Sequence, residues 1–173
     1  YNALNDITTG TQNVAVGALA GDALTDADYN VVMGYQALTT DTTGSRSVAI
    51  GFESLKTQNF TGGTDSGNTA VGNRTGALLT TGTDNTLIGS YAGDAITTSV
   101  SNTAVGRSSL SATTTGDENS GVGRGSLSAN TTGENNVALG FNALASNTTA
   151  DNNTGIGSSA GASLTTGHSN VLL

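Results

Sequence analysis

The sequence predicts an all-β fold, a parallel β-solenoid or β-roll built from ten short coils stacked along one axis. A five-residue motif of the type Asn-x-Ala-Val-Gly returns throughout the chain, first at Asn13 to Gly17. Its closing glycines are 17 residues apart in seven of eight intervals, and 21 residues apart between Gly51 and Gly72. A fixed period of this length is typical of solenoids, in which each coil contacts mainly its neighbours.

The 173 residues divide into ten units when each closing glycine is counted as position 17. The units begin at residues 1, 18, 35, 52, 73, 90, 107, 124, 141 and 158. The fourth unit has four additional residues between Lys56 and Asn68, which we expect to protrude as a loop because solenoids expel insertions to a surface. Residues 1–173 are therefore predicted to be a single repetitive segment. Both ends are in phase with the repeat, which favours a fragment of a longer fibre.

Positions 14 to 16 of each unit predict a short strand with two apolar faces. Position 16 is large and apolar in every unit, whereas position 15 is apolar or glycine and mostly small. Adjacent residues of a strand point to opposite faces, so the pattern predicts burial on both sides. We expect Val16 and its equivalents to face the interior of the coil. Ala15 and its equivalents are then expected to face a closely approaching partner chain.

A second short strand is predicted near positions 2 to 5. Position 4 is either leucine or glycine, and wherever it is glycine a large apolar residue stands at position 7, as in the pair Gly21 and Leu24. This pattern indicates that one interior slot is filled once per coil from either of two backbone positions. Filling the slot matters, because a lost leucine side chain costs about 2–5 kcal/mol in a packed core.

The remaining positions predict turns and a ladder of amide side chains. Thr-Thr-Gly recurs at positions 8 to 10, where glycine suits a turn residue with a positive φ. Asparagine occupies position 13 in nine of ten units, and Ser47 is the exception. Stacked in register, each amide is expected to bond to the coils above and below. The predicted structural ladder comprises Asn13, Asn30, Asn68, Asn85, Asn102, Asn119, Asn136, Asn153 and Asn170.

Charge and composition argue against several classes of partner. The net charge is −8, with only five lysines and arginines in the chain. Nucleic acid is not an expected partner, because phosphate binding requires clustered basic side chains. No stretch of 18 apolar residues occurs, so membrane insertion is not expected either.

The sequence offers little support for catalysis, and we expect no enzyme activity. His168 is the only histidine and follows a Thr-Thr-Gly turn. Asp22 and Asp94 share position 5, but in distant units, and nothing else marks them as a glycosidase pair.

No cofactor is expected apart from calcium. Calcium is considered because acidic residues recur in the turns before the asparagines, and stacked carboxylates can hold Ca²⁺. The calcium candidates are Asp28, Asp84, Asp117, Glu118, Glu134 and Asp151.

Aromatic residues are the candidates for binding a sugar or another surface. Four of them occupy position 1, directly after a closing glycine or at the start of the chain, and a fifth lies in the insertion. Exposed rings would act as stacking platforms; alternatively, the position-1 rings cover the end of the core. The candidates are Tyr1, Tyr35, Phe52, Phe60 and Phe141.

The strand Asn-x-Ala-[Val/Ile]-Gly, followed by small residues, resembles the head repeats of trimeric autotransporter adhesins. The fuller pattern Asn-Thr-Ala-Val-Gly-x-x-Ala-Leu-x-x-x-Thr-Thr-Gly resembles the repetitive shafts of phage tail-fibre and related surface-fibre proteins. The resemblance covers all ten units and implies a left-handed roll assembled as a homotrimer. It further implies a structural or adhesive segment of an extracellular fibre, on a cell surface or a virion tail, whose partners are further copies of itself and a glycan or protein receptor.

Two other functions are compatible with the sequence. Paired threonines at positions 8 and 9 could present the rows of hydroxyls and methyls with which an ice-binding solenoid meets ice. A tail-associated polysaccharide depolymerase is the other alternative.

Overall fold

A computed structural model describes residues 2–173, and Tyr1, one of the candidate surface-binding aromatics, lies outside the described residues. The chain is all-β and forms a parallel β-solenoid of about nine coils. Its ten strands stack in sequence order in one sheet. They are β1 Val14–Val16, β2 Val31–Met33, β3 Val48–Ile50, β4 Thr69–Val71, β5 Thr86–Ile88, β6 Thr103–Val105, β7 Ser120–Val122, β8 Val137–Leu139, β9 Thr154–Ile156 and β10 Val171–Leu172.

All nine strand pairs are parallel and in register with the repeat. In β1 and β2, for example, Ala15 lies beside Val32. The pairing of β3 with β4 keeps the same alignment, Ala49 beside Ala70, although the insertion separates these strands by four additional residues. Residues at the same position of successive units therefore form a continuous column along the solenoid. Neighbouring residues within a column are about 4.8 Å apart.

The strand faces are the reverse of those predicted from residue size. The position-15 residues face the interior and are fully buried in β2 to β6, whereas Val16 is 55% exposed and Leu139 is 48% exposed. The expectation that position 16 faces inward was therefore wrong. The reason is the narrowness of the coil: a Cβ on Gly121 at position 15 would lie 2.6 Å from Oγ of Ser109 on the opposite wall. The interior can accept only a small residue from the strand in most units.

The interior slot is filled by alternation, as the compensation between positions 4 and 7 predicted. Leu38, Leu55, Leu110, Leu127 and Leu144 fill it from position 4 and are fully buried. Where position 4 is glycine, Leu24, Leu79 and Ile96 fill it from position 7 and are equally buried. Position 15 also helps to fill the interior slot. Its largest residues all occur in units with glycine at position 4, and they are Val32, Leu87 and Leu172.

The second strand predicted near positions 2 to 5 is absent from residues 2–173, which form turns there. Position 4 adopts a left-handed backbone in every unit, even where it is leucine, as at Leu110 with φ of 52°. Position 2 does the same in nine units, including Ser108 with φ of 56°. Alternating left-handed residues curl the backbone tightly, so this wall cannot be an extended strand.

The glycine of the Thr-Thr-Gly turn also behaves differently from the prediction. Gly116 and its equivalents have no positive φ, and the left-handed residue is instead at position 12, as in Glu118 with φ of 57°. Glycine is required at position 10 because the next unit packs closely against it. A Cβ on Gly116 would lie 2.4 Å from the carbonyl oxygen of Gly133 in that unit.

The insertion protrudes beyond the fourth coil, as predicted. Gly62 and Gly63 at its tip have open space where a Cβ would be. Phe60 at its base is only 6% exposed, so its assignment as a surface-binding aromatic was wrong. The ring is drawn inward because its backbone is anchored there: the Phe60 amide donates to Oδ1 of buried Asp41 at 2.9 Å, and the Phe60 carbonyl accepts from Oγ1 of Thr43 at 2.7 Å.

Candidate functional site

The most extensive candidate site is the outward face of the sheet, formed by positions 14 and 16 and called here the strand face. Position 16 contributes a large apolar side chain from every unit, and seven of the ten are exposed by more than a third. These seven are Val16, Met33, Ile88, Val122, Leu139, Ile156 and Leu173. Position 14 adds valine, threonine or serine. The result is an uninterrupted apolar stripe about 43 Å long.

A stripe of this kind is unusual on a monomeric surface, where exposed apolar residues are normally scattered. The strand face is flat and regular because all its side chains come from the same two positions of parallel, in-register strands. Its geometry suits contact with another extended apolar surface rather than enclosure of a small molecule. Residues 2–173 accordingly contain no pocket.

The position-13 asparagines form a hydrogen-bonded column at the edge of the interior. Oδ1 of Asn85 accepts from the backbone amide of Asn102 at 3.0 Å, and Nδ2 of Asn102 donates to the carbonyl of Gly116 at 3.0 Å. Each amide thereby satisfies backbone groups in the adjacent coil. These side chains are therefore structural, and the seven from Asn30 to Asn153 are fully buried.

The single gap in this column, at Ser47, is closed by a buried polar cluster. Nε2 of Gln58 donates to Oγ of Ser47 at 2.8 Å and to Oδ2 of Asp41 at 2.6 Å, while its Oε1 accepts from Nδ2 of Asn68 at 3.0 Å. The glutamine amide thus replaces the missing asparagine amide. All four residues are inaccessible to solvent, so the cluster has no access to a ligand.

The threonines at positions 8 and 9 have different environments. Oγ1 of Thr97 at position 8 donates to the carbonyl oxygen of Thr114 in the next unit at 3.1 Å, and the same bond recurs along the column. Position 9 is exposed, and it is threonine in six successive units from Thr81 to Thr166. Only the position-9 column therefore presents a regular row of solvent-facing threonines.

Three of the candidate aromatics are at the surface at position 1. Tyr35 and Phe52 are 47% and 44% exposed and stack on each other with ring centroids 5.7 Å apart. Phe141 is 46% exposed, and the guanidinium carbon of Arg124 lies 5.6 Å from its ring centroid. These rings lie outside the core, so they do not cover its end.

The calcium candidates do not converge on one point. Asp28 accepts the amide and hydroxyl of Thr11, which holds the pKa of the Asp28 carboxyl below its usual value. Asp117 and Asp151 accept backbone amides of the preceding unit at 2.8 Å, from Val100 and Glu134 respectively. Asp84, Glu118 and Glu134 are exposed, and residues 2–173 contain no group of three or more potential metal ligands.

The candidate catalytic groups are equally dispersed. Asp22 and Asp94 stand four coils apart, about 19 Å along the axis, whereas paired glycosidase carboxylates are separated by roughly 5–9.5 Å. Nδ1 of His168 accepts the backbone amide of Asp151 at 2.9 Å, which gives this exposed side chain a role in the turn. Asp94 is notable for a different reason: its Oδ1 is buried with no hydrogen-bond partner in residues 2–173, and desolvation raises its pKa.

Two features were not found by sequence reasoning. The exposure of position 16 was missed because invariant large apolar residues normally indicate a core. The adjacent cations Arg107 and Arg124, both at position 1, were also missed, although their 17-residue spacing places them in one column.

Residues 2–173 contain no helix, and so none that could cross a membrane. Comparison of the chain with protein-family models, with curated proteins and with solved structures finds no significant match.

Proposed function

We propose that this chain is a non-enzymatic, structural and adhesive segment of an extracellular fibre, which assembles as a homotrimer through the strand face. The observation that supports the proposal is the unbroken apolar stripe on the outside of the solenoid. A single slender coil cannot bury that stripe, because the interior is already filled by positions 4, 7 and 15. Association of three copies would remove it from water without requiring a different partner protein.

The repeat pattern supports the same proposal independently. Its resemblance to adhesin heads and to tail-fibre shafts implies three chains around one axis, with a left-handed roll. On this reading the position-16 side chains, rather than those of position 15, lie at the centre of the trimer. The fibre is placed on a cell surface or a virion tail, where its length sets the distance between an anchor and a receptor.

Light scattering coupled to size exclusion tests the assembly. We expect a mass three times that of the 17.0 kDa chain. Val122→Lys and Leu139→Lys should give folded monomers, because they place charges in the middle of the strand face. Thr115→Lys, an exposed substitution outside that face, should leave the trimer intact. A wild-type monomer at all concentrations would exclude the proposal.

A second candidate function, ice binding, is favoured by the exposed position-9 column from Thr81 to Thr166. A regular row of threonine hydroxyls and methyls is the kind of surface that such a function needs. The measurement is thermal hysteresis of the wild type and of Thr115→Lys. Hysteresis that the lysine abolishes would replace the fibre proposal, whereas its absence in the wild type would remove this candidate.

A further inference from the structure

The five basic side chains of the chain fall into two groups. Arg46 pairs with Asp65 at 3.1 Å, while Lys56 and Arg74 both pair with Glu53, at 2.7 and 3.3 Å. The other two, Arg107 and Arg124, form no ion pair within residues 2–173. In a chain with 13 acidic residues, the two unpaired cations are thus neighbours in one column.

The backbone fixes these two arginines side by side. They occupy position 1 of successive units, about 4.8 Å apart along the axis. The amide of Gly125 donates to the carbonyl of Arg107 at 3.1 Å, and the amide of Asn142 donates to the carbonyl of Arg124 at 3.0 Å. Both side chains are exposed. Two arginine side chains that leave the backbone this close together carry like charges that repel each other, and an anion bound to both would offset that repulsion.

Phe141 continues the same column in the next unit. Arg124 covers one face of its ring, with 5.6 Å between the guanidinium carbon and the centroid. The following unit has only Ser158 at position 1, which is too small to cover the opposite face, and the ring remains 46% exposed. Beside it, the Asn142 amide makes no side-chain hydrogen bond within residues 2–173. Two cations, a half-exposed ring and a free amide therefore lie together.

This combination matches the chemistry of a carboxylated sugar. A carboxylate can accept paired N–H donors from a guanidinium group, and a second guanidinium nearby adds to the attraction. An aromatic ring packs against the apolar C–H face of a pyranose, and an amide can bond to its hydroxyls. A polyphosphate backbone fits less well, because it needs many cations and the chain has a net charge of −8.

We propose that Arg107, Arg124 and Phe141 form a binding site for an acidic glycan, with a sugar carboxylate at the two arginines and a pyranose ring against Phe141. Every residue of the site belongs to one chain, so the proposal does not depend on the trimer. The Tyr35 and Phe52 pair lies elsewhere in the same position-1 column, but its two stacked rings have no adjacent unpaired cation and are not part of the site.

The site can be tested by calorimetric titration with three probes: trigalacturonate, sialyllactose and neutral lactose. We expect the wild type to bind at least one acidic probe and not lactose, and the two acidic probes distinguish a uronate from a sialate. Arg107→Gln and Arg124→Gln should each weaken binding about tenfold, because each removes charge-assisted hydrogen bonds. Arg124→Lys should give an intermediate loss, since it keeps the charge without the planar fork.

The control variant is Arg46→Gln, which removes one positive charge from a site elsewhere and should leave binding unchanged. Light scattering must show the same oligomer for Arg107→Gln/Arg124→Gln as for the wild type. Loss of the oligomer in that double variant would assign the arginines to a contact between chains and overturn the proposal. Failure of the wild type to bind either acidic probe at millimolar concentration, or unchanged binding by the double variant, would also overturn it.

Discussion

Oδ1 of Asn102 accepts two hydrogen bonds from Asn119, one from the backbone amide at 3.0 Å and one from Nδ2 at 3.3 Å. The relationship links two residues that are 17 positions apart in the sequence and adjacent along the axis. Because the same pair of bonds recurs from coil to coil, each asparagine fixes the position of the next. The column is the polar counterpart of the leucine-filled interior.

Replacement of Asn102 by alanine should lower the free energy of unfolding by about 2–4 kcal/mol, because it leaves several buried donors and acceptors unsatisfied. The groups affected are the amide of Asn119 and the carbonyl of Gly116. Urea denaturation followed by circular dichroism measures the change. Thr115→Ala, at an exposed position that makes no side-chain hydrogen bond in residues 2–173, should change stability by less than about 0.5 kcal/mol. Equal effects of the two variants would show that the column is not a source of stability.

Gly93 and Leu87 should be energetically coupled through the interior slot. A Cβ on Gly93 would lie 2.8 Å from Cδ2 of Leu87 and 2.8 Å from Cδ1 of Ile96, and Gly93 also has a φ of 55°. Gly93→Ala should therefore destabilise the wild type, and should do so less in a Leu87→Ala background. A double-mutant cycle should give a coupling energy of about 0.5–3 kcal/mol. Gly62→Ala, in open space, is the control, and a coupling near zero would contradict the compensation.

Phe60 and Phe52 should differ sharply in their contributions to stability. Phe60 is nearly buried, so Phe60→Ala should cost about 3–5 kcal/mol. Phe52 is 44% exposed and mainly stacks on Tyr35, so Phe52→Ala should cost only about 0.5–1.5 kcal/mol. Thermal and urea denaturation of the two variants provide the comparison. A smaller effect at Phe60 than at Phe52 would mean that the base of the insertion is not packed.

Asp94 should destabilise the fold at neutral pH. Burial raises the pKa of its carboxyl, so the folded state binds this proton more tightly than the unfolded state does. The stability that comes from binding this proton is therefore fully present below the pKa of Asp94 in the unfolded state, and it is lost as pH rises through the pKa of Asp94 in the folded state. Asp94→Asn should raise the unfolding midpoint at pH 7 and have little effect at about pH 3.

Asp28 provides the matched comparison with the opposite sign. Hydrogen bonds from Thr11 lower the pKa of Asp28, so its contribution is present above the unfolded pKa and is lost as pH falls through the folded pKa. Asp28→Asn should lower the midpoint at pH 7. The same pH dependence for both variants would contradict the assigned environments.

The period, the parallel register and the expelled insertion could all be predicted from the sequence, because each follows from the spacing of Asn and Gly in successive units. The filling of the interior slot could also be predicted, because one slot must be filled once per coil. Leucine fills it from position 4 in some units, as at Leu38 and Leu55, and from position 7 where position 4 is glycine, as at Leu24 with Gly21. These features depend on which positions repeat, and a repeat reports that directly.

The orientation of the strand could not be read from residue size. Position 16 always carries the larger side chain, yet it faces outward because a coil this narrow leaves room for only a small residue opposite Ser109 or Leu110. The interior is completed instead by leucines in a left-handed conformation, which local propensity does not predict for leucine. The strand face was missed for the same reason. Its large apolar residues at position 16 were assigned to the core, and only their exposure shows that they form a surface.

The insertion shows that the number of residues in a coil does not change the rise of that coil along the axis. Val48 lies beside Thr69 across 21 residues, and Val31 lies beside Val48 across 17, yet both pairs occupy the same register of one sheet. Added chain length leaves through the tip at Gly62 and Gly63, without displacing any strand. A peptide of any length inserted at this tip would therefore project sideways at a fixed height on the rod, and every coil above and below would keep its place.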